Sequence, residues 1–168
     1  MKTVLITGAS RGIGAAMAGE FARAGYAVAI NYCRSENAAR ELAAGLAREG
    51  CVAACYRADV ADSAQVQSMV RAAERDLGSI AVLVNNAGIS QTGLLTDLDD
   101  VGWRRLWEVN VSGALYCSRA VLPGMLRRGE GVILNLSSMW GQVGGSCEVA
   151  YSATKAALIG MTKALAKE

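Results

Sequence analysis

Short runs of β-branched and other apolar residues alternate with helical periods almost from one end of the chain to the other. Residues 3–7, 27–32, 52–57, 80–84 and 132–136 read as strands. Residues 12–24, 37–49, 63–77, 101–128 and 149–168 repeat their apolar positions at helical spacing. Gly25, Gly50 and Gly78 stand where the first three helices should stop, and Asp62 or Ser63 is placed to cap the third. Strands that are apolar throughout belong to a sheet buried on both faces, and helices of this length between them imply parallel crossovers.

Right-handed crossovers make such a chain an α/β fold with a doubly wound, Rossmann-type parallel sheet. With 168 residues and no repeat, low-complexity tract or linker, residues 1–168 fit one domain. The last helical pattern reaches Glu168 without a stop signal, and the fifth strand is left as an apolar edge. The expectation is a fold cut short relative to something longer, or one that covers this edge by association.

The absence of histidine excludes a Ser-His-Asp triad, a Cys-His nucleophile and every His-ligated zinc site, and no metal is expected. Acid–base work falls to Asp, Glu, Lys, Tyr, Cys or water. A net charge of +2 with no basic run gives no case for nucleic acid. The five cysteines are scattered without a C-x-x-C pair, which points to reduced thiols and a cytoplasmic protein. The apolar start is too short for a signal peptide, and no apolar run approaches a membrane span.

The first strand runs into Thr7-Gly8-Ala9-Ser10-Arg11-Gly12-Ile13-Gly14 and then a helix. Glycines here permit a tight bend and close approach to a ligand, and the helix N-terminus offers unpaired N–H groups to a pyrophosphate. The second strand ends at Asn31-Tyr32-Cys33-Arg34, with no acidic residue before Glu36 to hold a ribose 2′-hydroxyl. Arg11 and Arg34 suit a 2′-phosphate instead, so NADPH is expected rather than NADH. Asn85-Asn86-Ala87-Gly88 follows the fourth strand, at the edge where ligands of such sheets bind. Asp59, after the third strand, is placed either to accept from an adenine amino group or to organise its own loop.

Tyr151 and Lys155 are four apart in the last helix and so face the same way. An ammonium ~4 Å from a phenolate at an effective dielectric near 20 is worth roughly 4 kcal/mol. That equals about three pKa units, enough to make a phenol a proton donor and acceptor near neutrality. Ser138, just after the fifth strand, is placed to hold a substrate carbonyl while Tyr151 donates the proton.

In this order and combination the motifs resemble the short-chain dehydrogenase/reductase family over the entire chain. The resemblance implies that Tyr151 is the general acid/base, that Ser138 positions the carbonyl, and that Lys155 binds the nicotinamide ribose. It also implies that Asn110 holds a water in a relay through Lys155; on its own Asn110 reads as a buried amide satisfied inside its helix. The cofactor surface so implied comprises Gly8, Ser10, Arg11, Gly12, Ile13, Gly14, Asn31, Tyr32, Arg34, Asp59, Val60, Asn86, Ala87, Gly88, Tyr151 and Lys155. Family members run longer, and associate as homo-oligomers, typically tetramers, through the helices here at residues 101–128 and 149–168.

Within the family the chain is most similar to reductases of carrier-bound ketones, the 3-oxoacyl-[acyl-carrier-protein] reductases. Ser137–Gly141 and Ser146–Tyr151 also look like the elongation factor P 5-aminopentanone reductases. A carboxylate at Glu148 near the pocket would favour a cationic amino-ketone; alternatively Ser146 caps the last helix and Glu148 sits in its first turn. A cofactor-binding module without catalysis is the reading of another class.

Overall fold

The computed structural model describes residues 1–168. In chain order the elements are β1 (Thr3–Ile6), α1 (Gly12–Arg23), β2 (Ala27–Tyr32), α2 (Glu36–Arg48), β3 (Ala53–Arg57), α3 (Ser63–Leu77) and β4 (Ile80–Asn85). They continue with α4 (Asp100–Trp107), α5 (Gly113–Arg128), β5 (Val132–Asn135), α6 (Trp140–Val143) and α7 (Val149–Leu165). The strands form one parallel sheet in the order β3-β2-β1-β4-β5. The order reverses beside β1, which opens a crevice at the carboxyl ends of β1 and β4.

Alternate side chains of each central strand feed two cores. Leu5, Ala29 and Leu83 pack with Val66, Met69 and Val70 of α3 and Cys117 and Val121 of α5. Val4, Ile6, Val28, Ile30, Val82 and Val84 pack on the opposite face with Ala18 and Ala22 of α1 and Ala39 and Leu46 of α2. This two-sided burial is why β1, β2 and β4 read as unbroken apolar runs. Asp62 caps α3 by accepting from the N–H groups of Ala64 and Gln65. Gly25, Gly50 and Gly78 take positive φ where the helices stop.

β5 is an edge strand, with Val132 50% and Leu134 42% exposed. A cavity of about 770 Å³ runs along it between the end of α5 and α7, lined by Leu126, Val132, Ile133 and Leu165 among others. It contains none of the residues singled out for chemistry.

Three local features depart from the sequence expectation. The helix expected over 101–128 is interrupted by a π turn at Glu108–Ser112 between α4 and α5. Such one-turn widenings leave no mark in apolar periodicity and recur at functional sites. α6 forms between Ser138 and Tyr151, where no helix was expected. Finally, Ser146 does not cap α7: that helix starts at Val149, and Glu148 occupies the N-cap position without a side-chain cap bond. The chain reaches it through Cys147 at φ 60, a left-handed turn that moves Ser146 out of capping register.

Candidate active site

The turn after β1 leaves no space for a side chain at Gly8 or Gly14. Gly8 and Gly12 have φ of +62 and +58, the left-handed region. A Cβ on Gly8 would sit 3.0 Å from the Cα of Ala87. One on Gly14 would sit 2.6 Å from Asn86 Nδ2 and 2.9 Å from the Cα of Ala9. The loop after β4 is clamped onto this turn. Thr7 Oγ1 accepts from the N–H groups of Asn86 and Ala87, each at 3.0 Å. Asn86 Nδ2 donates to the carbonyls of Thr7 at 2.8 Å and Gly8 at 3.1 Å. Asn31, 1% exposed, fixes the turn from the other side. Its Oδ1 accepts from the Gly8 N–H at 3.1 Å, while its Nδ2 donates to the carbonyls of Tyr56 at 3.2 Å and Ala58 at 3.1 Å.

A cavity of about 700 Å³ opens over this turn. Gly8, Ser10, Arg11, Gly12 and Ile13 line it from the turn, and Asn31, Tyr32 and Arg34 from the end of β2. Asp59 and Val60 contribute after β3, and Asn86, Ala87 and Gly88 after β4. The side chains of Tyr32 and Val60 are buried in the two cores. Gly14 lies behind the wall, as the packing partner of Asn86. α1 begins with no side-chain cap bond and no acid in its first turn, which leaves its N-terminal N–H groups open to an anion. Arg11 and Arg34 are exposed and in no ion pair.

Arg105 of α4 also lines the cavity, and nothing in the sequence marked it. Its Nη2 donates to Asp59 Oδ2 at 2.8 Å, and its Nη1 lies 3.7 Å from Glu108 Oε2. Asp59 Oδ1 accepts from the Ala61 N–H at 3.0 Å, so this carboxylate organises its own loop. Burial alone would raise the Asp59 pKa, but the Ala61 N–H, the Arg105 guanidinium and the nearby Arg34 together hold it below the usual carboxylate range.

The second group of candidates gathers where α7 meets the π turn. Asn110, 1% exposed, sits in that turn. Its Oδ1 accepts from the Ile89 N–H at 2.8 Å, and its Nδ2 donates to the Ile89 carbonyl at 2.9 Å and to Thr154 Oγ1 at 3.0 Å. It is therefore satisfied outside its own helix, by the loop after β4. Thr154 in turn donates to the Tyr151 carbonyl at 2.8 Å. The Lys155 ammonium donates to the Leu136 carbonyl at 2.7 Å and lies 5.5 Å from the centre of the Tyr151 ring. Lys155 is 5% exposed, and burial lowers its pKa.

Gly88 joins the two groups: it lines the cavity, and a Cβ there would sit 3.4 Å from Asn110 Oδ1 and 3.5 Å from Lys155 Nζ. Ser138 leads into α6, its Oγ accepting from the Trp140 N–H at 3.2 Å. This segment is fixed to α7 by Ser137 Oγ, which donates to the Lys155 carbonyl at 2.7 Å. Just before α7, Glu148 Oε1 accepts from Thr92 Oγ1 at 2.8 Å, while Oε2 is buried without a partner.

The family model for short chain dehydrogenases matches residues 2–168. The chain belongs to the short-chain dehydrogenase family. This dehydrogenase-family chain is 40% identical over 167 residues to the 3-oxoacyl-[acyl-carrier-protein] reductase FabG of Staphylococcus aureus, covering 99% of the chain and 68% of the relative. It is 38% identical over 167 residues to the 2-(S)-hydroxypropyl-CoM dehydrogenase 3 of Xanthobacter autotrophicus, covering 99% of the chain and 65% of that protein. Among solved structures, a gluconate 5-dehydrogenase from Burkholderia cenocepacia, in complex with NADP and tartrate, superposes with a TM-score of 0.91 at 37% identity. The match covers 98% of this chain and 64% of the gluconate enzyme. The chain thus spans about two thirds of the length of these relatives.

Proposed function

We propose that this short-chain dehydrogenase reduces a ketone to a secondary alcohol with NADPH, in the manner of the reductases of carrier-bound 3-oxoacyl groups. The observation that carries the reading is the meeting at Gly88 of the glycine-turn cavity with the buried ammonium of Lys155. The residues present fit a dinucleotide. Gly8 and Gly14 stand where any side chain would collide with backbone or Asn86, so the turn can lie flat against a pyrophosphate at the open end of α1. Arg11 and Arg34 carry no competing carboxylate and can take a 2′-phosphate. Kinship to a protein solved with NADP agrees with this choice over NADH.

When bound, the reduced nicotinamide supplies the hydride. Tyr151 gives its phenolic proton to the carbonyl oxygen, and Ser138 holds that oxygen in line. Lys155 faces the Tyr151 ring and favours the negative charge left on it when the proton departs. Asn110 holds Ile89 by both backbone groups and so keeps the loop carrying Gly88 against Lys155. Hydride plus proton convert C=O to CH–OH, and the phenol is restored from solvent.

Tyr151→Phe removes the donor without altering shape. Ketone-dependent NADPH oxidation should fall at least about a hundredfold while NADPH binding is kept; undiminished turnover rejects the reading. Cofactor binding without turnover in the unaltered protein would favour a non-catalytic module. Exposed apolar residues on α4 and α5 (Val101, Leu115 and Leu126) support self-association of a cytoplasmic oligomer. One observation favours a second substrate class, an amino-ketone like that of the elongation factor P 5-aminopentanone reductases. The unpartnered Glu148 Oε2, three residues before Tyr151, is a site for an ammonium. Glu148→Gln should then impair an amino-ketone selectively, whereas equal effects on charged and neutral ketones remove that reading.

A further inference from the structure

We infer that Arg105 is a positioning residue for cofactor choice: by holding Asp59 it keeps Arg34 free for the 2′-phosphate of NADPH. The inference rests on the proposed NADPH reading and concerns how the pocket sustains it. Three guanidiniums, Arg11, Arg34 and Arg105, share the cavity wall with a single carboxylate, Asp59. That carboxylate is a hazard to a phosphate in two ways. It repels the dianion directly, and it offers Arg34 a partner inside the protein.

Arg105 removes both effects. Its Nη2 contact at 2.8 Å takes up Asp59 Oδ2, and the Ala61 N–H takes up Oδ1. Both oxygens are then engaged, and Arg34 stays without an ion pair. Tyr32 pairs with Arg57 across β2 and β3, and Arg34 and Asp59 each follow two residues on, so the two stand at neighbouring strand ends on one cavity wall. Arg105 is placed for this by α4, and its second neighbour, Glu108, opens the π turn that carries Asn110. With Arg105 gone, Arg34 and Asp59 would pair across the mouth of the cavity.

The test is the dissociation constant of NADPH and of NADH, read from the fluorescence of the reduced nicotinamide, in the full protein carrying this sequence. Arg105→Met should weaken NADPH about five- to tenfold more than NADH. Arg105→Lys, which keeps the charge, should recover most of the loss. The double variant Asp59→Asn, Arg105→Met should restore the ratio, because the carboxylate that captures Arg34 is absent. Asp59→Asn alone should leave NADPH favoured at least as strongly as in the unaltered protein, an arm that holds even if Arg105→Met fails to fold. Equal weakening of both cofactors, no recovery in the double variant, or a shift towards NADH with Asp59→Asn each overturns the inference. If the unaltered protein binds NADH as well as NADPH, the NADPH reading itself fails. If it prefers NADPH and the variants do not move the ratio, only the role of Arg105 fails.

Discussion

Replacing Asn31 with aspartate exchanges one NH2 for an oxygen and leaves the shape unchanged, so its effect isolates the polarity of the glycine-turn anchor. The amide is 1% exposed, and its Nδ2 faces three carbonyls, Ala58 at 3.1 Å, Tyr56 at 3.2 Å and Tyr32 at 3.4 Å. A carboxylate there would keep the Gly8 N–H on one oxygen but turn the other towards three carbonyl acceptors. A protonated carboxyl could donate to one carbonyl and so loses about one bond net, roughly 1 kcal/mol. Keeping that proton requires a folded-state pKa raised above the unfolded value of about 3.9, by about two units on the scale of buried carboxyls. The folded state then binds more protons than the unfolded one across that window, so stability falls as pH rises from about 4 to about 6 and levels off above. The linkage contributes about 1.5 kcal/mol at pH 5 and about 3 kcal/mol at pH 8. Asn31→Asp should therefore destabilise by about 2.5 kcal/mol at pH 5 and about 4 kcal/mol at pH 8. Urea unfolding of both proteins at the two pH values measures this, with the difference between proteins cancelling titrations they share. A cost below ~0.5 kcal/mol, or one with no pH dependence, would refute the assignment of Asn31 as a buried donor to three carbonyls.

Gly14→Ala should abolish detectable NADPH binding and cost about 2–4 kcal/mol of stability, because the new Cβ meets the backbone of Gly8 and Ala9 at 2.9 Å. Gly12→Ala, with nothing within 4 Å, should cost only about 1 kcal/mol from its φ of +58, measurable in the same unfolding assay. Lys155 is buried and its pKa lowered, so the unfolded state binds a proton that the folded state releases between that lowered value and 10.5. Stability conferred through this residue rises with pH across that window, and Lys155→Met should flatten the rise in unfolding free energy measured from pH 7 to 10.

The sheet was legible in the sequence because two-sided burial writes itself as unbroken apolar strands, and glycines at 25, 50 and 78 punctuate the helices between them. The glycine turn and the Tyr151–Lys155 pair were legible for a similar reason: each is defined by spacing within a single segment. Arg105 was not, since its partner Asp59 is 46 residues away and an arginine on an amphipathic helix carries no local signal. The π turn was invisible because it covers only Glu108–Ser112, too few residues to disturb an apolar pattern read over 101–128. The capping of α7 was misread through Ser146, a favourable residue type displaced from register by the left-handed Cys147.

What unites the site is a division of labour between amides and charges. Asn31 and Asn110 each use both ends of the side chain on another segment, Gly8 and β3 for the first and Ile89 and the Thr154 hydroxyl for the second, while Asn86 Nδ2 donates to the carbonyls of Thr7 and Gly8. Past the carboxyl ends of the strands the regular ladder stops, and these amides add to the few backbone bonds and the Thr7 hydroxyl bonds that still tie the loops together. An amide both donates and accepts without a charge to desolvate, so it can replace the ladder at little electrostatic cost. A carboxylate or ammonium in the same places would bias the field that a phosphate and a developing phenolate must feel. The charged groups are accordingly kept few and placed on the wall itself, where Arg11 and Arg34 remain unpaired and Asp59 is neutralised. Asn31 and Asn86 thus hold the backbone in place while still lining the cavity, which leaves its exposed charges to Arg11 and Arg34.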